Sequence, residues 1–322
     1  MSKRSGVLVI AESCDERIHQ VTFQLLGKGK EIADVLECEL SALLLCARVK
    51  HPKEMNFHGC DRAYVMCAPS FAYPEEGLYK TNIVRFIEEY QPEVVLMGAT
   101  PFGRSLAPRV AAALGTGLTA DCTELVVGEN KELIQIRPAF SDNILAHIKT
   151  KTYPQMATVR DGEFPVPQLD TSRKVDVVTI APYVKYYDQT CVLEGIKKNT
   201  QNITDAEVIV ACGRGLKAAG DVALIQKLAD CLGGQVGYSR ALIDAGIGDA
   251  TNQIGYSGLR VRPKLYFACG ISGASQHLAG MKESDRIIAI NQDASAPIFN
   301  ACDAGIVGDL YQVIPRLIEE LS

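Results

Sequence analysis

Along the chain, short unbroken apolar runs alternate with longer segments whose apolar positions recur every three or four residues, the patterns of buried strands and amphipathic helices. Residues 6–11 predict a strand and 18–36 a helix; strands follow at 40–47 and 63–68, a helix at 82–90, a strand at 93–98 and a helix at 106–114. Strands that are apolar throughout, separated by helices, imply a parallel sheet covered on both faces. From 119 to 160 the texture changes. Pieces at 122–127, 133–138, 144–150 and 156–159 alternate with Gly128-Glu129-Asn130 and Ser141-Asp142-Asn143, which are hairpin signals. A further strand is predicted at 175–180, and the polar stretch 194–205 reads as a linker.

Beyond it the alternation resumes: strand 207–212, an elbow at 213–218, helix 221–232, and a short strand ending in Ser239-Arg240. Residues 251–293 then read as a turn-rich loop, a strand at 264–269, a Gly/Ser elbow at 270–274, a short helix to about Gly280, and a strand at 286–291. A last strand ends near 304–310. Pro315 predicts that the final helix begins only near the proline, after a short turn. The fold class expected is α/β, with two domains at 1–198 and 199–322. Each is built on a mostly parallel doubly wound sheet of nucleotide-binding type, the first with an antiparallel extension suited to a partner interface.

A chain of 322 residues has room for two cores. No apolar run approaches the ~18 residues that span a bilayer, and Glu12, Asp15 and Glu16 follow the first apolar run at once, so the start reads as a strand and not as a leader. A net charge of −5 gives no reason to expect nucleic acid or an acidic membrane surface. The eleven cysteines are odd in number, and the closest pair, Cys60 and Cys67, has six residues between its members. Neither a C-x-x-C redox pair nor a zinc-ligand spacing is present. Most lie in apolar strands, where a reduced thiol behaves as a small hydrophobe, and a cytoplasmic setting is expected.

The candidate chemistry gathers in the second half. Gly213-Arg214-Gly215-Leu216-Lys217-Ala218 fits the loose pattern G-x-G-x-x-A, whose glycines let a backbone approach a pyrophosphate. It lacks the acidic residue about 20 positions on that would bind an NAD ribose. Ser239 and Arg240, the 270–273 elbow, Asn291 and Asp309 stand at further strand ends, where open parallel sheets bind ligands. Three readings follow: an FAD-binding electron carrier, an NAD(P)-dependent dehydrogenase, and a non-redox adenine-nucleotide module. Only the first gives Arg240, Ser257 and His277 a task.

The runs GRGLK at 213–217, SR at 239–240, QIGYSG at 253–258, LYFACGISGASQHLAGM at 265–281, AINQD at 289–293, APIF at 296–299 and GIVGDL at 305–310 together resemble the α subunit of electron transfer flavoproteins. The resemblance implies a heterodimer with a β subunit and FAD held without a covalent bond in the second domain. By position it assigns FAD contacts to Arg214, Ser239, Arg240, Gln253, Ile254, Gly255, Tyr256, Ser257, Ser272, Gly273, Ala274, Ser275, Gln276, His277, Asn291, Asp309 and Leu310. Ser257 stands where many members carry threonine, which keeps the hydroxyl. The implied partners are an acyl-CoA dehydrogenase or other flavin dehydrogenase, and downstream a quinone oxidoreductase, ferredoxin or flavodoxin. A bifurcating complex with NADH as donor is a further form of the family. Arg240 and His277 offer donors where negative charge develops as a flavin takes up an electron.

Overall fold

A computed structural model describes residues 4–14, 16–139, 144–185 and 203–321. The chain divides into two compact units, Met1–Glu194 and Gly195–Ser322. Most of the linker expected at 194–205, the 198/199 boundary and the turn at 141–143 lie outside the described residues.

In the first unit β1 (Val7–Ala11) is followed by a small hairpin, β2 (Ser13–Cys14) and β3 (Arg17–Ile18), then α1 (Gln20–Leu36), β4 (Leu40–Cys46), the single turn α2 (Glu54–Phe57), and β5 (Arg62–Cys67). Next come α3 (Glu76–Tyr90), β6 (Val94–Gly98), α4 (Pro101–Leu114), β7 (Leu118–Cys122), β8 (Glu124–Val127), β9 (Leu133–Ala139), β10 (Ile144–Lys149), β11 (Gln155–Val159) and β12 (Val177–Ile180). Seven strands form one parallel sheet in the order β12-β5-β4-β1-β6-β11-β7. All five residues of β1 are buried because both faces are covered: Val7, Val9 and Ala11 pack with α1, Leu8 and Ile10 with α3 and α4.

The antiparallel extension is narrower than the sequence suggests. Only β8, β9 and β10 form it, whereas β7 and β11 join the parallel sheet, and β11 is buried along its whole length as a strand covered on both faces must be. Helix α3 starts at Glu76 and not at 82. The Glu75 carboxylate caps the N–H groups of Gly77 and Leu78, an anchor that apolar periodicity does not register.

The second unit runs β13 (Val208–Cys212), α5 (Val222–Cys231), β14 (Gln235–Ser239), α6 (Arg240–Asp244), β15 (Gln253–Ile254), β16 (Leu265–Cys269), α7 (Ser275–Leu278), β17 (Ile287–Asn291), β18 (Ala304–Val307) and α8 (Leu310–Leu321). Its six strands are all parallel, in the order β15-β14-β13-β16-β17-β18. Counted along the sequence this is 3-2-1-4-5-6, the doubly wound dinucleotide-binding order. Ile209, Ala211, Tyr266 and Ala268 face one core, Val210, Cys212, Phe267 and Cys269 the other.

The last helix corrects an expectation: α8 runs from Leu310 to Leu321 with Pro315 inside it. Leu310, Val313, Ile314, Leu317 and Ile318 form one apolar stripe against α5 and the sheet. Burying that stripe outweighs the roughly 3 kcal/mol that an interior proline costs a helix.

Candidate functional site

The strand order of the second sheet reverses between β13 and β16, and each of these neighbours ends in a glycine elbow. The two elbows touch. A Cβ on Gly215 would stand 2.6 Å from the Cα of Gly270, and one on Gly270 would stand 2.7 Å from the Cα of Gly215. Gly270 also has φ +63°, so both positions require glycine, one for space and the other for space and conformation.

Although their sequences look alike, the elbows differ in what their backbone has left to offer. In the first, Gly213 N–H donates to the Cys269 carbonyl (3.0 Å), Gly215 N–H to Gly270 (3.1 Å) and Leu216 N–H to Gly213 (3.0 Å). Lys217 and Ala218 donate to the Asp221 carboxylate at 3.2 and 2.9 Å. Of the N–H groups from Gly213 to Ala218, five are thus taken up, two of them in joining β13 to β16 and its elbow, and Arg214 alone keeps its N–H without an acceptor among the described residues. In the second, the N–H groups from Ser272 through Gln276 have no acceptor among the described residues. Consecutive free N–H groups at the end of a parallel strand form a seat for an anion.

This open elbow borders a cavity of about 680 Å³. Of the residues the sequence singled out, Arg214, Ser239, Arg240, Ile254, Gly255, Tyr256, Ser257, Ser272, Ala274, Gln276, His277, Asn291 and Leu310 line it, joined by Lys217, Asp244 and Gln292. Gln253, Gly273, Ser275 and Asp309 do not line it, and three of these have evident structural tasks. Gly273, at φ +87°, lets the backbone pass Ile298, whose N atom would be 2.3 Å from a Cβ there. The Asp309 carboxylate accepts from Tyr311 N–H at the start of α8 (3.0 Å). Gln253 donates to the Ser257 hydroxyl (3.0 Å).

Ser257 sits on the loop after β15, which is pinned to α7 by the bond from Tyr256 N–H to the Gln276 carbonyl (2.7 Å). Its oxygen accepts from Gln253 and, at 3.4 Å, from an Arg240 guanidinium N–H, so neither bond uses the hydroxyl proton. Arg240 is exposed and is steadied by Asp244 one turn on, at 3.6 Å. Asn291 ties β17 to the open elbow, donating to the Ile271 carbonyl at 2.9 Å.

Two buried polar atoms in the cavity lining lack a partner among the described residues: Ser239 Oγ and His277 Nδ1. Ser239 occupies the N-cap of α6, where serine ordinarily caps the helix, yet it makes no cap bond. His277 is 8% exposed and its Nε2 lies 2.9 Å from the hydroxyl of fully buried Tyr266. Burial holds Tyr266 protonated by raising its pKa well above the usual phenol value, and a buried phenol must donate. Nε2 is therefore the acceptor and the ring proton is on Nδ1. Burial also lowers the imidazole pKa to about 4, and the backbone of Ile254 works against this only in part. His277 thus enters the cavity wall as a neutral donor, not a cation. Nothing in the sequence marked Tyr266, which reads as one more apolar-strand residue. The available signal was that a tyrosine inside a wholly buried strand needs a partner for its hydroxyl.

The described residues contain no group of three or more metal-ligating side chains and no helix long and apolar enough to cross a membrane. Comparison with known proteins agrees with the geometry. Residues 7–184 match the family model of the electron transfer flavoprotein domain, and residues 202–282 that of the electron transfer flavoprotein FAD-binding domain. The chain is 44% identical to the electron transfer flavoprotein subunit α of Thermoanaerobacterium thermosaccharolyticum, over 100% of this chain and 99% of that one. It is 44% identical to the LctC subunit of the lactate dehydrogenase (NAD(+),ferredoxin) of Acetobacterium woodii, over 97% of this chain and 76% of that one. It is 37% identical to the acryloyl-CoA reductase electron transfer subunit β of Anaerotignum propionicum, over 98% and 95% of the two chains. The chain belongs to the α subunits of the electron transfer flavoproteins, FAD-binding electron carriers that work paired with a β subunit.

Proposed function

We propose that the cavity at the β13/β16 reversal holds the FAD, with its pyrophosphate on the free N–H groups of Ser272 to Gln276 and its redox-active ring among Arg240, Ser257 and His277. The observation that carries this reading is the convergence of unsatisfied donors on one cavity: the open elbow, the idle Ser239 hydroxyl and the partnerless Nδ1–H of His277. Buried polar atoms without partners are rare and mark a missing group of complementary chemistry. Bound FAD supplies the reversible uptake of electrons. The protein's residues supply placement and charge. Arg240 brings a fixed positive charge, Ser257 a hydroxyl proton that its neighbours leave free, and His277 a neutral N–H whose orientation Tyr266 fixes. Arg214 and Asn291, with Leu310, complete the wall, Asn291 by holding the elbow in place.

The β subunit is assigned to the antiparallel extension of the first unit. Strand β10 is an edge, and its Ile144 and Leu145 are 52% and 54% exposed, with Val126 of β8 exposed as well. An apolar edge of this kind, unpaired among the described residues, calls for a partner. Electrons then pass, in the cytoplasm, from an acyl-CoA dehydrogenase or other flavin dehydrogenase to a quinone oxidoreductase, ferredoxin or flavodoxin. The names of the two subunits from Acetobacterium woodii and Anaerotignum propionicum favour membership of a larger reductase or dehydrogenase complex.

Redox titration of the heterodimer tests the site. Arg240→Ala removes a hydrogen-bonding cation worth about 1.5–3 kcal/mol to a charged acceptor, so the flavin potential falls while FAD stays bound. An unchanged potential at full FAD occupancy overturns the assignment. Counting flavins per heterodimer separates a one-FAD carrier from a two-FAD bifurcating complex.

A further inference from the structure

We propose that Cys46 and Cys67 form a reactive dithiol that a small-molecule disulfide converts into an intramolecular disulfide, a modification site in the first unit separate from the flavin cavity. The two residues end β4 and β5 and stand directly opposite each other in the parallel register. Their Sγ atoms are 3.6 Å apart. Neighbouring strands run ~4.8 Å apart, inside the Cα separation a disulfide accepts, so side-chain rotation alone can close the sulfurs to bonding distance. Among the described residues Cys212 and Cys269 also face each other in register, on β13 and β16, but both are buried and neither can meet a small disulfide first; burial raises their pKa values, as it does those of buried Cys60 and Cys122.

The two members of the pair differ in access, and that sets their roles. Cys67 is exposed, while Cys46 is 2% exposed. Cys67 therefore attacks first: its thiolate bonds one sulfur of the small disulfide, and the other sulfur leaves as a thiolate that takes up a proton. The Cys46 thiolate then attacks Cys67 Sγ in this mixed disulfide, expelling the second small thiol, which is also protonated. In sum the protein dithiol loses two electrons and two protons and the small disulfide gains them. Burial, together with its neighbour, raises the Cys46 thiol to about 12, so the second step is the slow one near neutrality and quickens as pH rises.

The test incubates the purified heterodimer with oxidised glutathione, blocks remaining thiols with an alkylating agent, and maps the peptides by mass spectrometry. The expected result is a glutathione adduct on Cys67 that gives way to a Cys46–Cys67 cross-linked peptide, faster at alkaline pH and reversed by dithiothreitol. In Cys46→Ser the adduct on Cys67 persists and the cross-link is lost completely; in Cys67→Ser both are lost, while adducts on exposed Cys14 and Cys231 are unaffected. A native protein that accumulates the Cys67 adduct without ever forming the cross-link, or that leaves Cys67 unmodified, overturns the proposal.

Discussion

At the strand-order reversal of the first sheet, between β1 and β6, the protein places its own carboxylate. At the corresponding reversal of the second, between β13 and β16, it leaves a cavity ringed by donors without partners. In the first, Glu12 follows β1, and its Oε2 accepts from the Thr100 hydroxyl at 2.8 Å. Thr100 in turn caps α4, its oxygen accepting from Gly103 N–H at 2.9 Å. The acceptor that an anionic ligand would provide at a helix start is supplied from within. In the second, the elbow after β16 keeps its N–H groups from Ser272 to Gln276 unpaired among the described residues. The two sheets share a parallel, doubly wound plan, so the plan does not decide whether the crevice binds anything. What decides it is whether the chain satisfies its own donors there.

The largest effect is expected from closing the second crevice by force. Gly270→Val puts branched carbons against the Gly215 backbone and onto a left-handed residue, costing about 4 kcal/mol or more. The expected outcome is a heterodimer that loses its flavin and melts at lower denaturant, whereas Gly162→Val, also at positive φ but with open space around it, retains FAD. Comparable flavin content in both variants would mean that the elbow contact does not shape the site.

The sequence shows this contrast only in part. Apolar runs place the long buried strands, because a strand buried on both faces has no polar positions to confuse it, but not the two-residue β2, β3 and β15 or the more polar β7. The glycines of both elbows are equally visible. What the sequence cannot display is how each elbow spends its N–H groups: Gly213 and Gly215 bond to carbonyls more than fifty residues away on β16 and its elbow, a long-range choice with no local signature. For the same reason the two glycine elbows look alike in sequence, although it is the second that keeps a run of free N–H groups, from Ser272 to Gln276, among the described residues. The pairing of Tyr266 with His277 hides inside an apolar pattern, and the passage of α8 through Pro315 reflects tertiary packing overriding a local breaker.

A middle-sized effect comes from that hidden pair. Tyr266→Phe preserves volume and removes the hydroxyl that Nε2 of His277 uses. A buried acceptor left unpaired costs about 1–3 kcal/mol, read as a lower midpoint in urea. A merely structural role would end there. The positioning role predicts a second signature: nitrogen NMR of the imidazole finds the proton on Nδ1 in the native protein and a mixture of tautomers in the variant. The flavin potential shifts in parallel. An unmixed Nδ1–H form in Tyr266→Phe would show that another group sets the tautomer.

The smallest effect tests the first crevice. Burial raises the Glu12 carboxyl from 4.5 to about 7; the Thr100 hydroxyl works against this and Asp161 adds to it. Because the folded value lies above the unfolded one, the folded state holds more protons through that interval, and linkage makes stability fall as pH rises from about 4.5 through about 7. Above that window the charged carboxylate is a burden on the order of 2–3 kcal/mol. Glu12→Gln keeps an acceptor for Thr100 and discards the charge. Its expected outcome is little change near pH 5 and a gain of about 1–2 kcal/mol near pH 8, so that urea midpoints of native and variant converge on acidification. Lines that stay parallel across this range would mean that the carboxylate is solvated after all, and that the first crevice is open enough for water to reach it.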